Sequence, residues 1–496
     1  MEGDKCMGDY SVPKEIRDLR PPGTIVKKQG NGYYVYRRSS TKVKVVQDDG
    51  TYKWKTQDKM GPCLGAITLE NGFIPNAVSE NEEMITVLDY GNYAFSKMHS
   101  SKVFQELDLL FKGKLAIKIY LAGLITFNEG FTYMTDMSRK YAESAACMFY
   151  PGVPLGYESV TNLYEYLGRH GKVVDQFEQR AINASSHVVG IDGHVIACTS
   201  EKNDLSEFGY KHTKLNAPQL NWICAHDLIN DKPLASEFIN GSTPDKSALK
   251  QLFNRFVFAN THFYVDRGFN TDPDKQLMSL EGSTYTVPMI SGRNDYNEVY
   301  GKLKFDKRRW FIYDKNGYSS IIYYSEFPGE GKVRYIAFKD TTRESAERKS
   351  YCEKLKKGMK GYTAAGLEES EKDFGLFLLE TTEESTAEEV FCGYKSRWGI
   401  ETYYNYVDNV MDFNALYQQD YCKTQGVGFI VQIAGSIFSE VKNSLTEQDE
   451  TVRDVMEEFR GIKAVNEKGR WNLHNITKSR RTLAEKLQFQ TGKVLW

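Results

Sequence analysis

Residues 187–199 read HVVGIDGHVIACT. An apolar run from Val188 to Ile191 ends in Asp192, Gly193 permits a tight turn, and Val195 to Thr199 returns, which predicts a β-hairpin with an acid at its rim. Downstream, LNWICAHDL and LASEFI predict two further strands around the turn Asn230-Asp231-Lys232-Pro233, and KSALKQLFNRFVFA from Lys246 has helical periodicity. Thr261-His-Phe-Tyr-Val-Asp266 is then a second strand that ends in a carboxylate. Strand, strand, helix, strand is an α/β pattern, so an α/β core with a mixed sheet is expected.

Toward the N-terminus, YYVYRRSSTKVKVV and TYKWKT alternate polar and apolar residues between the turn signals Asp48-Asp49-Gly50 and Asn71-Gly72, which predicts a small β-meander. Between it and the core, FQELDLLFKGKLAIKIYLAGLITF and YESVTNLYEYLGRHGKVVDQFEQRAI place apolar residues at helical intervals. This helical module is either a plain packing unit or a DNA contact. Toward the C-terminus, RWFIYD, SIIYYSEF, VRYIAFKD and FGLFLLE predict a β-rich domain inserted in the core, with turns at Lys315-Asn316-Gly317 and Pro328-Gly-Glu-Gly331. Ser385-Thr-Ala-Glu388 has the capping-box pattern and opens a helical segment through Met411, and another helical run covers Gly426 to Val441. The organisation expected is a β-rich module over 1–84, a helical module over 85–180, core over 181–279, insertion over 280–384, core again over 385–445 and a charged tail over 446–496.

With 496 residues the chain exceeds what one hydrophobic core usually supports, and 41% hydrophobic with 26% charged residues is an ordinary soluble balance. Eight scattered cysteines without a CxxC pair point to reduced thiols in a cytosol, and a charged N-terminus without an apolar stretch predicts no secretory signal. The longest apolar run, Gly426 to Phe438, is interrupted by Gln432 and is too short to cross a bilayer, so no membrane role is expected. A cytoplasmic protein is expected. No GxxxxGK[ST] phosphate loop, nucleophile elbow or zinc-ligand spacing is present. Net charge is −2, yet residues 301–360 carry 16 Lys/Arg against 8 Asp/Glu. That +8 block in an otherwise acidic chain, with Lys307, Arg308, Arg309 and Trp310 near its start, suggests a polyanion contact; a solvated hairpin surface is the plain alternative.

Along an ideal helix at about 100° per residue, Tyr394, Arg397, Glu401 and Asp408 fall within about 60° of one another. Apolar Phe391, Trp398, Tyr403, Tyr404 and Val407 give the same helix surface to bury, so this stripe can face the rims where Asp192 and Asp266 end their strands. Three carboxylates from two strand ends and a helix supply the hard oxygen ligands for two Mg²⁺ or Mn²⁺ ions in phosphodiester chemistry.

Three runs, IDGH (191–194), YVDRGF (264–269) and YKSRWGIETYY (394–404), resemble the motifs of bacterial DDE transposases in the group founded on insertion sequence four. The Tyr-x2-Arg-x3-Glu spacing matches that group's signature helix, and the 134 residues between Asp266 and Glu401 leave room for its β-rich insertion. The likeness spans roughly residues 90 to 445 and includes GYKHTKLNAPQL after the first acid. It implies an RNase H-like catalytic core in which Asp192, Asp266 and Glu401 are the catalytic metal ligands for Mg²⁺, with Mn²⁺ as substitute. It further implies DNA contacts at Tyr394 and Arg397, with Arg267 holding phosphate. The partner implied is double-stranded DNA, both terminal inverted repeats and target, bound by a homodimer in a synaptic complex. Where the group has a Lys seven residues after the Glu, this chain has Asp408. That departure leaves open a defective, transposase-derived DNA-binding protein, while the carboxylates alone would also suit a stand-alone RNase H-like nuclease.

Overall fold

The computed structural model describes residues 12–46, 52–75, 86–198, 200, 202–209, 218–315, 317–446, 448–467 and 469–492. Two compact units divide the chain, Met1–Ile85 and Thr86–Trp496.

In the first unit, helix α1 (Lys14–Asp18) precedes strands β1 (Thr24–Gln29), β2 (Gly32–Val46), β3 (Tyr52–Thr68) and β4 (Gly72–Pro75). They form an antiparallel meander in chain order over Val12, Ile16, Val26, Val35 and Ile67. Gly72 takes the positive φ that the Asn71-Gly72 turn needs. The turn expected at Asp48-Asp49-Gly50 lies outside the described residues, as do 210–217 of the GYKHTKLNAPQL run.

In the second unit, β5 (Thr86–Asp89) leads into helices α2 (Gly91–His99), α3 (Ser101–Phe111), α4 (Gly113–Glu129), α5 (Met137–Ala142), α6 (Ala146–Phe149), α7 (Tyr157–Arg169) and α8 (Gly171–Asn183). The core follows as β6 (Val188–Cys198), β7 (Gln219–Asp227), β8 (Lys232–Asn240), α9 (Asp245–Arg255), β9 (His262–Val265), α10 (Asp272–Leu277), β10 (Thr284–Pro288) and α11 (Asn294–Gly301). Then come β11 (Trp310–Lys315), β12 (Tyr318–Pro328), β13 (Arg334–Asp340), α12 (Thr341–Lys356), α13 (Ala364–Ser370) and β14 (Leu376–Thr381). The chain continues through α14 (Ala387–Ser396), α15 (Trp398–Asn409), β15 (Ala415–Leu416), α16 (Tyr421–Ser444), α17 (Val452–Arg460), β16 (Lys463–Glu467), β17 (Arg470–His474) and α18 (Lys478–Lys486).

One mixed sheet organises this unit in the order β11-β12-β13-β14-β10-β9-β6-β7-β8, with β15 added beside β6. Strands β6, β7 and β8 are antiparallel neighbours, whereas β9 runs parallel to β6 and β10 parallel to β9. Alternation along the strands separates two cores. Ile196, Cys198, Trp222 and Cys224 face α4, α7, α15 and α16, while Val189, Ile191, Ile223 and Ala225 face α9. Residues 280–384, expected as an inserted β domain, extend this same sheet through β10 to β14 and also contain α12, a helix whose charged, low-amphipathicity sequence gave no apolar stripe to read.

Several expectations are corrected. No hairpin turn occurs at Gly193: β6 runs unbroken through it, pairing with β7 from Val189↔Asp227 to Ala197↔Gln219. A glycine inside a strand is compatible with either reading, and here the ladder across both flanks decides. The capping box is formed one residue later than Ser385-x-x-Glu388, by Thr386 and Glu389. The helical segment after it is two helices, α14 and α15, which meet at Arg397. Residues 446–496, expected as a charged tail, hold α17, α18 and a hairpin whose β16 pairs with β5. No helix among the described residues is long and apolar enough to cross a membrane.

Candidate active site

Two of the three carboxylates are placed by the sheet register. Parallel strands β6 and β9 pair Val188 with His262 through Ile191 with Val265, so the next residues, Asp192 and Asp266, stand side by side. Even-numbered residues of β6 face α15, which puts Asp192, His194 and Ile196 on one surface. Asp192 is thus inside a strand, with its Oδ1 accepting from the Gly193 amide at 2.8 Å, whereas Asp266 follows the last residue of β9 and is exposed.

The third carboxylate comes from the helix pair above them. Ile400 N–H bonds to the Arg397 carbonyl and Arg397 N–H to that of Tyr394, three-residue bonds that tighten the chain where α14 meets α15. The Arg397 side chain is partly buried against this junction and its guanidinium reaches two acids. Nη2 lies 2.6 Å from Glu401 Oε1 and Nη1 4.0 Å from Asp192 Oδ2. Burial opposes its charge, but Tyr394, Glu401 and Asp192 more than offset this and hold the guanidinium above its usual range. The Tyr394 phenol is pushed up by burial; Arg397 opposes that shift while Asp266 and Glu401 add to it. Tyr394 is therefore within electrostatic reach of both acids and of the guanidinium, which lies 5.8 Å from its ring centre.

Hard oxygen donors from β6, β9 and α15 are of the kind that binds Mg²⁺ or Mn²⁺. Yet among the described residues no three His, Cys, Asp or Glu side chains are gathered so as to hold a metal ion. The cation lying between Asp192 and Glu401 is Arg397 itself.

The other DNA-contact expectations are placed elsewhere. Arg267 begins an exposed single turn after β9, next to Asp266. Lys307, Arg308 and Arg309 form an exposed loop leading into β11, the far edge strand, which begins at the exposed Trp310 and lies six strand positions from β6. At the usual spacing of neighbouring strands that is roughly 30 Å, so the sheet does not bring this cluster to the carboxylates.

Sequence reasoning missed His194, which falls between the expected turn at Gly193 and the returning strand from Val195, together with Tyr404. His194 Nε2 is 2.8 Å from Asp408 Oδ1, and its ring stacks on Tyr404 with centroids 4.6 Å apart. The Tyr404 hydroxyl donates to the Asp192 carbonyl at 2.8 Å. The signal was the two-residue step from Asp192 to His194, which means one shared face once the strand is known to continue.

No protein-family profile matches the chain, and no curated protein matches its sequence. Among solved structures the chain is similar to a piggyBac transposase in a synaptic complex with hairpin DNA, at a TM-score of 0.39 and 10% identity over 75% of this chain and 80% of that one. That likeness is too loose to assign a fold or a function.

Proposed function

We propose that the chain is a DNA transposase with an RNase H-like core, binding the terminal inverted repeats of its own element and cutting and rejoining strands there with Asp192, Asp266 and Glu401 as ligands of Mg²⁺ or Mn²⁺. The observation that carries this reading is the register of β6 on β9, which sets two motif carboxylates side by side beneath the helix junction bearing the third. An antiparallel β6–β7–β8 sheet continued by parallel β9 and β10 supports the RNase H-like assignment. Bound divalent metal would supply an activated water or 3′-hydroxyl and stabilise the leaving oxygen. The chain's own groups do the rest. Arg397, released from Glu401, presents a planar fork to a phosphate. The Tyr394 hydroxyl, its pKa raised, stays protonated near neutrality and can donate to a phosphate oxygen.

The test uses a duplex copied from the DNA immediately flanking the gene. Asp192→Asn, Asp266→Asn and Glu401→Gln should each abolish Mn²⁺-dependent nicking while leaving binding of the duplex largely intact. If Asp192→Asn nicks at the parent's rate, the assignment fails; if the parent binds but never nicks, the chain is a DNA-binding relative of transposases instead.

A further inference from the structure

Three contacts clip the strand that carries Asp192 to the helix that carries Glu401. The Tyr404 hydroxyl donates to the Asp192 main-chain carbonyl. Its ring lies nearly flat on His194, with planes 15° apart, and is backed by Trp222 from β7. His194 Nε2 bonds Asp408. Glu401, Tyr404 and Asp408 follow one another at three- and four-residue steps along α15, so all lie on the face turned to β6. None of the three contacts uses a carboxylate oxygen of Asp192 or Glu401. They fix the frame, while the carboxylate oxygens are met by the Gly193 amide and by Arg397.

Asp408 is the position at which the chain departs from the group it resembles, and a carboxylate facing a DNA strand there would need a nearby compensating group such as a bound metal, Lys423 or Asn405. The structure gives a different partner. Lys423 pairs with Asp420 at 2.5 Å and Asn405 with Asn409, while Asp408 is taken up by His194. We infer that Tyr404, His194 and Asp408 set the separation of Asp192 from Glu401, making His194 and Asp408 positioning residues; this rests on the transposase reading above. The acid at 408 is then half of a pair whose other half sits two residues after Asp192. It is not a lesion in the site.

The experiment compares Asp408→Asn, which keeps an acceptor for the imidazole N–H, with Asp408→Ala, His194→Ala and the double alanine variant, all in the full chain. Readouts are kcat and KM for nicking of a supercoiled plasmid in Mn²⁺, Mn²⁺ affinity without DNA, and melting temperature. Removing partners that orient metal ligands typically costs about 10–100-fold, so each alanine variant should drop in kcat and Mn²⁺ affinity on that order with KM for plasmid little changed. Asp408→Asn should recover most of the deficit, and the double variant should be no worse than either single one. Additive deficits, an Asp408→Ala that nicks like the parent, or an Asp408→Lys that binds and nicks DNA better would each overturn the clip. Failure of the metal reading looks different: Asp192→Asn would bind Mn²⁺ and nick as the parent does. The clip is then decided by the His194–Asp408 coupling in melting temperature, which needs no metal, and additivity there overturns it.

Discussion

Arg397 stands where Asp192 and Glu401 would otherwise face each other across a partly buried gap. Two carboxylates brought that close destabilise one another, and a guanidinium between them relieves the repulsion without any bound ion. If Asp192 and Glu401 are metal ligands as proposed, the same cation would compete with a divalent metal for those oxygens. Arg397→Ala should therefore tighten Mn²⁺ binding to the DNA-free protein; because Glu401 is 41% exposed, solvent screening limits the gain to about tenfold or less. On the proposed role of Arg397 as a phosphate fork, DNA binding should weaken in the same variant. Calorimetric titration with Mn²⁺ checks this, and unchanged or weaker metal affinity would show that the guanidinium supports the ligands rather than competing with them. This part of the site was legible in the sequence, because Tyr394, Arg397 and Glu401 lie within two helical turns and local spacing fixes their proximity. The partner of Asp408 was not, because His194 lies 214 positions away in the chain.

At the scale of elements, most strands and helices could be read from period alone, and β7, β8, β9, α9 and β11 to β14 lie within a few residues of the runs that announced them. What failed had specific causes. Gly193 offered a turn that the β7 ladder overrides; α12 carries charge on every face; the α14–α15 junction contains no proline, and its cap position, Arg397, makes no side-chain cap bond. The junction is set instead by how closely α14 approaches β9. A Cβ added at Gly393 would run into the Tyr264 hydroxyl and the ring carbon that bears it, and that tyrosine is buried and held by Glu383 at 3.1 Å. Tyr264 cannot yield cheaply, and it is two residues from Asp266. Gly393→Ala should then cost about 1–3 kcal/mol of stability by overpacking and reduce nicking by moving Arg397. Gly399, where the nearest atoms to an added Cβ are 3.7 and 3.9 Å away, is the control: Ala there should be neutral or stabilising by a few tenths to about 1 kcal/mol. Denaturant midpoints of the two variants check the contrast, and equal effects would remove the argument that close approach of α14 positions the site.

For the whole molecule, the +8 of residues 301–360 is distributed unevenly once folded. On α12 and beside it, Arg343 pairs with Glu347, Arg348 with Glu344 and Glu371, and Lys339 with Glu344, so those cations are largely spoken for. Arg343 and Arg348 are exposed too, but each meets an acid, whereas for the exposed Lys307, Arg308 and Arg309 the acid beside them is Asp306, 3.3 Å from Arg308. Their loop sits on the edge strand, roughly 30 Å along the sheet from Asp192. A duplex rising about 3.4 Å per base pair would need about nine base pairs to run from the carboxylates to this loop. Replacing Lys307, Arg308 and Arg309 together by Ala should lower the slope of log affinity against log salt by up to about 0.9 for each phosphate that the loop no longer neutralises. Arg343→Ala with Arg348→Ala should leave that slope unchanged, since their charge is already met by acids. The effect of the triple variant should also vanish on duplexes extending fewer than about nine base pairs from the cut, because such DNA ends before the loop. Binding titrations over a salt series with long and trimmed duplexes check both statements. A slope change that persists on the short duplex would mean that the DNA crosses the sheet face by another path, and an unchanged slope on the long one would leave the exposed loop without a nucleic-acid role.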